Sequence, residues 1–344
     1  MLPPKLQTDI ARLLEALHSG GDVETHLSSC ISGLRALPAS SIVRAATEIQ
    51  VIGSLYSRSD LADEFRSLLQ KKLYPTRKAE LSALKLYPSL GRVFIFHGDG
   101  WLREAALNSL NEPPDNPFEF TAIAYRLNDW VGQVRNAAHG HACKLFPQTS
   151  AGVVAEASLF LFTQIQHFGR WGERERHVLE TTLYRRDVMP AFAHLLSQRP
   201  PGRVGRIFRQ ALRKPGLDDM LPRLTCEGAL PLVRAIALET LIMRRARWMQ
   251  GYGYEWVDKR FGIRRRVPRF DQRAVEHQLD VEDLLTQAAK DRAVAVRKVV
   301  TRGLIDLRHN LSSAMIDVGR LLSQDQSSSV RSRAEFYLKN LPNA

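Results

Sequence analysis

A short pattern of apolar and polar positions returns along most of this chain, and it predicts helices. An aspartate or small residue is followed by a hydrophobic residue, an arginine, a spacer and one or two alanines. From Val134, small or apolar residues fall at i+3, i+4 and i+8, which is one stripe of an amphipathic helix. The copies are centred on Arg44, Arg103, Arg135, Arg234, Arg297 and Arg331, with a weaker copy at Arg77.

The intervals between these arginines fit one period. Arg103 and Arg135 are 32 residues apart, and Arg297 and Arg331 are 34 apart. The intervals on either side of Arg234 are 99 and 63 residues, close to three and two periods. They predict degenerate copies near positions 168, 201 and 266. A period of this size is typical of stacked repeats, whose single units cannot bury their own apolar faces.

The repeats predict an all-α chain. We expect residues 1–344 to form a single right-handed α-solenoid of about nine or ten helix pairs. The repeat arginines should occupy equivalent places on successive second helices. Strand signals are scarce, and residues 92–97, although apolar, are expected to form a buried first helix between two helical units.

The polar residues of the repeat have structural roles in this interpretation. Asp99, Asp129 and Asp291 stand where an N-cap belongs, where a carboxylate accepts bonds from free amides and offsets the helix dipole. The alanines allow a neighbouring helix to approach closely. Each arginine should reach an aspartate or the helix end of the next unit.

In these residues the chain resembles the HEAT repeat family of α-solenoids, whose second helix commonly carries an Asp-x-x-x-x-Val-Arg-x-x-Ala phrase. The resemblance is strongest over 90–145 and 280–340, extends to 228–245, and covers about half of the chain. It implies the α-solenoid fold. It does not imply one function, because the family includes scaffolds, transport factors, DNA glycosylases and lyases.

Composition narrows the class of protein further. The chain is 44% hydrophobic and 25% charged, which is ordinary for a globular protein. No apolar run reaches the roughly 18 residues that a membrane span needs. Three cysteines far apart in sequence indicate a reducing compartment without a disulfide framework. The N-terminus lacks the charged head and long apolar core of a signal peptide, and a cytoplasmic location is expected.

The net charge of +13 is concentrated in one section. Residues 199–273 contain 18 Lys and Arg against 7 Asp and Glu, whereas the rest of the chain has 31 against 29. Within this section, residues 244–273 interrupt the repeat with ten basic and six aromatic residues. Insertions in repeat proteins map to loops, often on the binding face. We therefore expect residues 199–273 to be the contact region.

Guanidiniums pair with phosphates, and aromatic rings offer stacking platforms for bases, so this composition favours a nucleic acid or another polyanion as partner. Two alternatives stay open. The insertion could bind an acidic protein surface, or it could fold back and pack Trp248, Tyr252 and Trp256 onto the repeats. The candidate binding residues are Arg244, Arg245, Arg247, Trp248, Tyr252, Tyr254, Trp256, Lys259, Arg260, Arg264, Arg265, Arg266 and Arg269.

No catalytic, metal or cofactor motif is complete. Gly251-x-Gly253 begins a dinucleotide fingerprint, but no strand is predicted before it and a glycine is missing, so we expect a flexible turn. His139 and His141 are spaced i, i+2 and point apart on a helix, so they cannot share an ion. Cys143 is expected to be a buried structural thiol.

One enzymatic alternative rests on a distant similarity to HEAT-like alkylpurine DNA glycosylases, which use tryptophans beside a catalytic aspartate in a basic groove. Asp129 with Trp130, Asp99 with Trp101, and Trp171 are the candidates for that arrangement. No complete motif matches. The function predicted is that of a non-catalytic HEAT-repeat scaffold that engages a polyanionic partner, with a glycosylase or a purely protein–protein adaptor as alternatives.

Overall fold

The computed structural model describes residues 1–19, 21–58, 77–198 and 200–341, and these residues are mostly helical. The chain divides into two compact units, Met1–Val188 and Met189–Ala344. Two positions used in the sequence argument, the side chain of Arg77 and the whole of Arg199, lie outside the described residues.

The first unit consists of helices in consecutive pairs. Helix α6 packs on α8 and α8 packs on α10, so the second helices of successive pairs lie side by side. The first helices α7 and α9 also contact each other. The described helices are α1 Pro4–Ser19, α2 Val23–Arg35, α3 Ile42–Arg58, α4 Arg77–Leu86, α5 Gly91–Phe94, α6 Gly100–Ser109, α7 Pro117–Arg126, α8 Gly132–Leu145, α9 Ala151–Gln164 and α10 Glu173–Leu183.

The apolar segment at 92–97 behaves as predicted. It forms the short helix α5 and the turn that follows it, and it packs on α6. The side chains of Val93, Phe94, Ile95 and Phe96 are all buried. Its apolar character therefore reflects burial on several sides rather than a strand.

The second unit repeats the same arrangement. Helices α14, α16 and α18 pack side by side, and α15, α16, α17 and α18 form its last two helix pairs. Leu238, Val300 and Tyr337, one from each second helix, belong to one continuous apolar core. The described helices are α11 Val188–Ser197, α12 Val204–Ala211, α13 Leu221–Glu227, α14 Pro231–Ile242, α15 Val281–Ala288, α16 Val294–Leu307, α17 Ala314–Ser323 and α18 Ser328–Lys339.

A β-hairpin interrupts the second unit between α14 and α15. Strand β1 spans Arg245–Asp258 and pairs antiparallel with β2, Ile263–Ala274. The predicted repeat copy near position 266 is therefore wrong, because that position lies in β2. Helix α14 packs directly on α16, so the 63-residue interval from Arg234 to Arg297 is one repeat period plus the hairpin, and not two periods.

The repeat arginines occupy equivalent positions, as predicted, with one exception. Each is the fourth residue of its helix in α6, α8, α14, α16 and α18. The exception is Arg44, which is the third residue of α3 and is exposed. The members of the set are Arg103, Arg135, Arg234, Arg297 and Arg331.

The residues that flank these arginines form the contact between second helices. The hydrophobic residue before each arginine is buried, and so is the small or branched residue three positions after it. An alanine three positions after the arginine lets the neighbouring helix pack closely. The preceding residues are Leu102, Val134, Val233, Val296 and Val330, and the following ones are Ala106, Ala138, Ala237, Val300 and Ala334.

Three of the arginines bind the aspartate of the next repeat with one repeated geometry. Arg103 donates from Nε and Nη2 to the two carboxylate oxygens of Asp129, at 3.1 and 2.9 Å. Arg234 and Asp291 make the same pair at 2.7 and 2.8 Å, and so do Arg297 and Asp325. The predicted contact with the next unit is therefore confirmed for these three arginines.

The remaining arginine nitrogen, Nη1, binds within its own repeat. In all five arginines it donates to the carbonyl oxygen six residues earlier, at 2.7 to 2.8 Å. The loop before each of these helices is thus held by its own arginine, and in the loops with Asp129, Asp291 and Asp325 the carboxylate also binds the arginine of the preceding repeat. We call this alternation the Arg–Asp ladder.

Of the three aspartates predicted to be N-caps, only one lies at an N-cap position. Asp99 is the N-cap of α6 and accepts a bond from the Trp101 amide. The N-cap prediction is wrong for Asp129 and Asp291, because both lie two residues before the N-cap. Each accepts a bond from the amide two residues ahead, as Asp99 does, but its helix begins three residues after the aspartate, whereas α6 begins one residue after Asp99.

Asp129 is the most completely bonded carboxylate of the ladder. It accepts two bonds from Arg103, one from Arg126 and one from the Val131 amide, and it is buried together with both arginines. Burial opposes its ionisation, but these hydrogen bonds outweigh burial and lower the pKa of Asp129. The carboxylate is therefore ionised and has no free acceptor for further chemistry.

Replacing Asp129 by alanine should destabilise the first unit strongly. Arg103 and Arg126 would remain buried without a counter-charge, which costs about 3–5 kcal/mol when one partner of a buried pair is removed. Urea unfolding followed by circular dichroism measures this free energy. The matched control is Asp317→Ala, because Asp317 forms only an exposed pair with Arg320, for which no measurable loss is expected. Equal effects of the two substitutions would contradict the ladder.

A buried histidine in α8 should make stability depend on pH. Burial lowers the pKa of His141 below its usual value of 6.5. Hydrogen bonding to the backbone of Leu107 and Leu110 raises the pKa, but burial is the larger effect. As pH falls, the histidine is protonated in the unfolded chain at a higher pH than in the folded chain. Protonation therefore favours unfolding, and the free energy of unfolding should fall as pH drops from about 7 to about 5. Unfolding measured across this range should show a smaller fall in His141→Leu. The exposed His177→Leu should behave as the wild type does.

Candidate functional site

The basic, aromatic insertion forms an arm that projects from the second unit. At its base, Arg273 donates to both carboxylate oxygens of Asp218, at 2.5 and 2.8 Å, and also to the carbonyls of Leu212 and Lys214. From the other strand, the Met249 carbonyl accepts a bond from Gln210. Both strands are thus attached to the segment 210–218.

The apolar contact of the arm is also confined to its base. Ala246 and Trp248 are buried, and β1 packs on α12 and α14. Tyr252 and Trp256 are about half exposed. The alternative in which all three aromatic residues pack onto the repeats is therefore correct for Trp248 only, and Trp248 is not available as a binding residue.

The register of the hairpin sorts its side chains onto two faces. Directly paired residues share a face, and faces alternate along a strand. A bulge between Met249 and Gly251 adds one residue to β1. Met249 and Tyr252 therefore lie on the same face, although they are three residues apart. One face, which we call the aromatic face, carries most of the exposed rings together with guanidiniums. It consists of Arg247, Met249, Tyr252, Tyr254 and Trp256 from β1 and Arg264, Arg266, Pro268 and Phe270 from β2.

Rings and guanidiniums contact each other along the aromatic face. The guanidinium carbon of Arg264 lies 3.9 Å from the Trp256 ring centroid, and that of Arg266 lies 3.9 Å from the Tyr252 centroid. Nearer the base, Arg247 lies 4.2 Å from Phe270. Three arginines therefore lie over three rings.

The opposite face of the arm is cationic as well. It carries Arg265, which pairs with the exposed Glu255 at 3.2 Å, and Arg269. Arg269 crosses over Gly253, where an added Cβ atom would lie 2.1 Å from its Nε. The predicted flexible turn at Gly251-x-Gly253 is wrong, because both glycines lie within β1. Gly253 instead provides the space in which Arg269 lies.

The turn of the hairpin comes at its tip. Asp258 accepts bonds from the amides of Arg260 and Phe261, and Gly262 has a φ of +67°, a conformation that favours glycine. The side chains at the tip are exposed, and the Phe261 side chain has 80% of its surface accessible to solvent. Lys259 and Arg260 therefore extend from the end of the arm.

Within the described residues, most cations of the arm have no acidic partner. No carboxylate lies within 4 Å of seven of them, whereas Arg265 has Glu255 and Arg273 has Asp218. The seven are Arg245, Arg247, Lys259, Arg260, Arg264, Arg266 and Arg269. Among the predicted residues, Tyr254 is exposed on the aromatic face, Arg245 is exposed at the base, and Arg244 bonds the His277 carbonyl.

Sequence reasoning missed two of the exposed rings. Phe270 lies beneath Arg247 on the aromatic face, and Phe261 lies at the tip. The period-two alternation of Tyr252, Tyr254 and Trp256 was the available signal for a strand, since alternate residues of a strand share one face. The same alternation on the second strand would have placed Phe270 on the face that carries Tyr252, Tyr254 and Trp256.

The residues considered for glycosylase chemistry do not form a free acid beside a base pocket. The carboxylate of Asp129 is saturated in the ladder, and Asp99 caps α6. Trp130 and Trp101 are both well exposed, and Trp171 is partly buried against Phe168 and Arg176. Their aspartates thus have structural partners already.

Other candidate chemistry is sparse in the described part of the chain. His141 is buried and His139 is partly exposed, and they do not meet. The prediction for Cys143 is wrong: it is exposed, and its Sγ lies 3.5 Å from Nε2 of His139. Among the described residues no three His, Cys, Asp or Glu side chains could hold a metal ion, and no helix could cross a membrane.

No protein-family model matches this chain, and no curated protein matches it either. Functional interpretation therefore depends on the geometry of the arm and of the repeats that support it.

Removing the anchor of the arm should loosen its base without unfolding the helices. Arg273→Ala loses the Asp218 pair and the two carbonyl bonds, so amide hydrogen exchange should accelerate at residues 245–249 and 270–274. Mass-spectrometric exchange measures this change. Arg265→Ala, which breaks only an exposed pair farther out, should leave exchange at the base unchanged. Slow exchange in the Arg273 variant would show that Trp248 alone holds the arm.

Proposed function

We propose that this protein is a non-catalytic HEAT-like scaffold that binds nucleic acid through the β-hairpin arm. The observation that carries the proposal is the set of seven cations without acidic partners on the arm. Charges this close repel one another, and a negatively charged partner relieves that repulsion. The arm alone contains nine basic and three acidic residues between 245 and 274.

The kind of cation favours phosphate as the charged group. Six of the seven are arginines, whose planar guanidiniums donate paired hydrogen bonds to phosphate oxygens. Arg264 and Arg266 are already oriented by rings, so little side-chain freedom is lost when they bind. An acidic protein surface would satisfy the same charge, but it would not need a continuous row of fixed guanidiniums.

The helical part of the chain supplies the support. In this proposal the repeats continue as a right-handed α-solenoid related to HEAT repeats, and the protein acts in the cytoplasm. Insertion of the arm between two repeats leaves the ladder intact on both sides, since Arg234 and Asp291 still pair. The arm can therefore bind without disturbing the scaffold.

Charge reversal near the tip of the arm should abolish nucleic-acid binding. The triple variant Arg264→Glu, Arg265→Glu and Arg266→Glu should bind a labelled DNA oligonucleotide far more weakly than the wild type in fluorescence anisotropy. For the wild type, the logarithm of affinity should fall linearly with the logarithm of salt concentration, because each phosphate contact releases a counterion.

The control has the same change of charge on an exposed surface away from the arm: Arg320→Glu, Arg333→Glu and Lys339→Glu. It should keep most of the affinity. A pull-down from lysate with and without nuclease addresses the alternative partner. Capture that survives nuclease, together with no competition by DNA, would overturn the proposal in favour of an acidic protein.

A further inference from the structure

The rings of the aromatic face are already in contact with arginines. A base that stacks on an aromatic residue needs a free ring face, and this contact supplies affinity for single strands. On Trp256 and Tyr252 a guanidinium carbon lies 3.9 Å from the ring centroid and covers the ring face on which a base would stack. These rings therefore act as supports that orient Arg264 and Arg266.

The oriented guanidiniums keep their donors free. Within the described residues, the guanidinium groups of Arg264 and Arg266 donate no hydrogen bond to another residue, and neither has a carboxylate within 4 Å. In the stacked arrangement that this distance allows, a guanidinium presents its N–H groups edgewise, away from the ring. Such an edge donates two parallel bonds to a phosphate or to the O6 and N7 atoms of guanine.

The shape of the arm is that of an isolated two-stranded ribbon. From Gly251 to Asp258 it extends about 23 Å at the usual rise of a strand. The major groove of B-form DNA, about 12 Å wide, admits a two-stranded β-ribbon. The major groove of an RNA duplex is too deep and narrow for side chains to read.

We propose that the arm binds double-stranded DNA by lying in the major groove, with the aromatic face toward the bases and with Lys259 and Arg260 at the phosphates. This inference rests on the proposed nucleic-acid function and specifies its ligand. Arg264 and Arg266 are the base-edge contacts. Trp256 and Tyr252 position these arginines and do not stack on bases.

The test compares three labelled probes of one sequence at one salt concentration: a 20-base-pair DNA duplex, the corresponding RNA duplex and the single DNA strand. Wild-type protein should bind the DNA duplex about tenfold or more tightly than either alternative, because the two base-edge contacts need an open major groove, which neither alternative offers. Arg264→Lys with Arg266→Lys keeps both charges but loses the planar donors. It should therefore lose this preference while the salt dependence stays nearly unchanged.

A double-mutant cycle identifies the role of the rings. Trp256→Leu with Tyr252→Leu should weaken duplex binding as the lysine variant does, and combining the two changes should add little further loss. If the rings stack on bases instead, the leucine changes will act mainly on the single strand and will add to the lysine changes. Arg320→Lys with Arg333→Lys is the matched control and should behave as the wild type does.

The outcomes separate the two proposals. If none of the three probes binds, the nucleic-acid function itself fails. If the single strand or the RNA duplex binds as well as the DNA duplex, binding to nucleic acid stands and the major-groove inference fails. Circular dichroism of each variant checks that the helices remain folded, and hydrogen exchange in β1 and β2 checks that the arm keeps its strands.

Discussion

The structure of the helical repeats depends on one interaction, the bidentate ion pair between an arginine and the aspartate of the next repeat. Arg103 with Asp129 is nearly inaccessible to solvent, and a guanidinium buried this deeply without a carboxylate would be strongly unfavourable. A single repeat of this kind is therefore incomplete at the three pairs, because alone Arg103, Arg234 and Arg297 lack an acid and Asp129, Asp291 and Asp325 lack a cation. Only stacking in one register supplies both.

This interaction also explains how the chain accommodates the hairpin. Arg234 and Asp291 are 57 residues apart, yet they form the same pair as Arg103 and Asp129, which are 26 apart. The strands β1 and β2 are added between two helices whose contact is unchanged. Lengthening a connection costs little loop-closure entropy, so an insertion at this point is compatible with a continuous ladder.

A two-stranded ribbon is only marginally stable by itself. Two sets of contacts stabilise the arm. At the base, Arg273 and Trp248 attach it to the second unit. Farther out, guanidiniums lie against rings across the two strands. The contacts that order the arm leave the arginine donors unused, and for this reason a structural feature of the ribbon is also its candidate binding surface.

Spacing along the chain was sufficient to place the repeat arginines, the buried segment at 92–97 and the basic section. These features have a short period, and side chains three or four residues apart lie on one face of any helix. The same spacing was misleading for Arg44, which has the pattern but lies exposed on α3. A local pattern cannot show whether a neighbouring repeat supplies the carboxylate.

The tertiary structure decided what the spacing left open. An interval of 63 residues fits two repeats or one repeat with an insertion, and only the contact of α14 with α16 distinguishes them. Gly251 and Gly253 indicated a turn, but pairing with β2 makes them part of a strand, and Arg269 occupies the space above Gly253. Burial of Trp248 likewise depends on α12, about 40 residues earlier in the chain. Periodicity determines which face of an element is apolar, whereas the partner of that face depends on packing between residues distant in sequence.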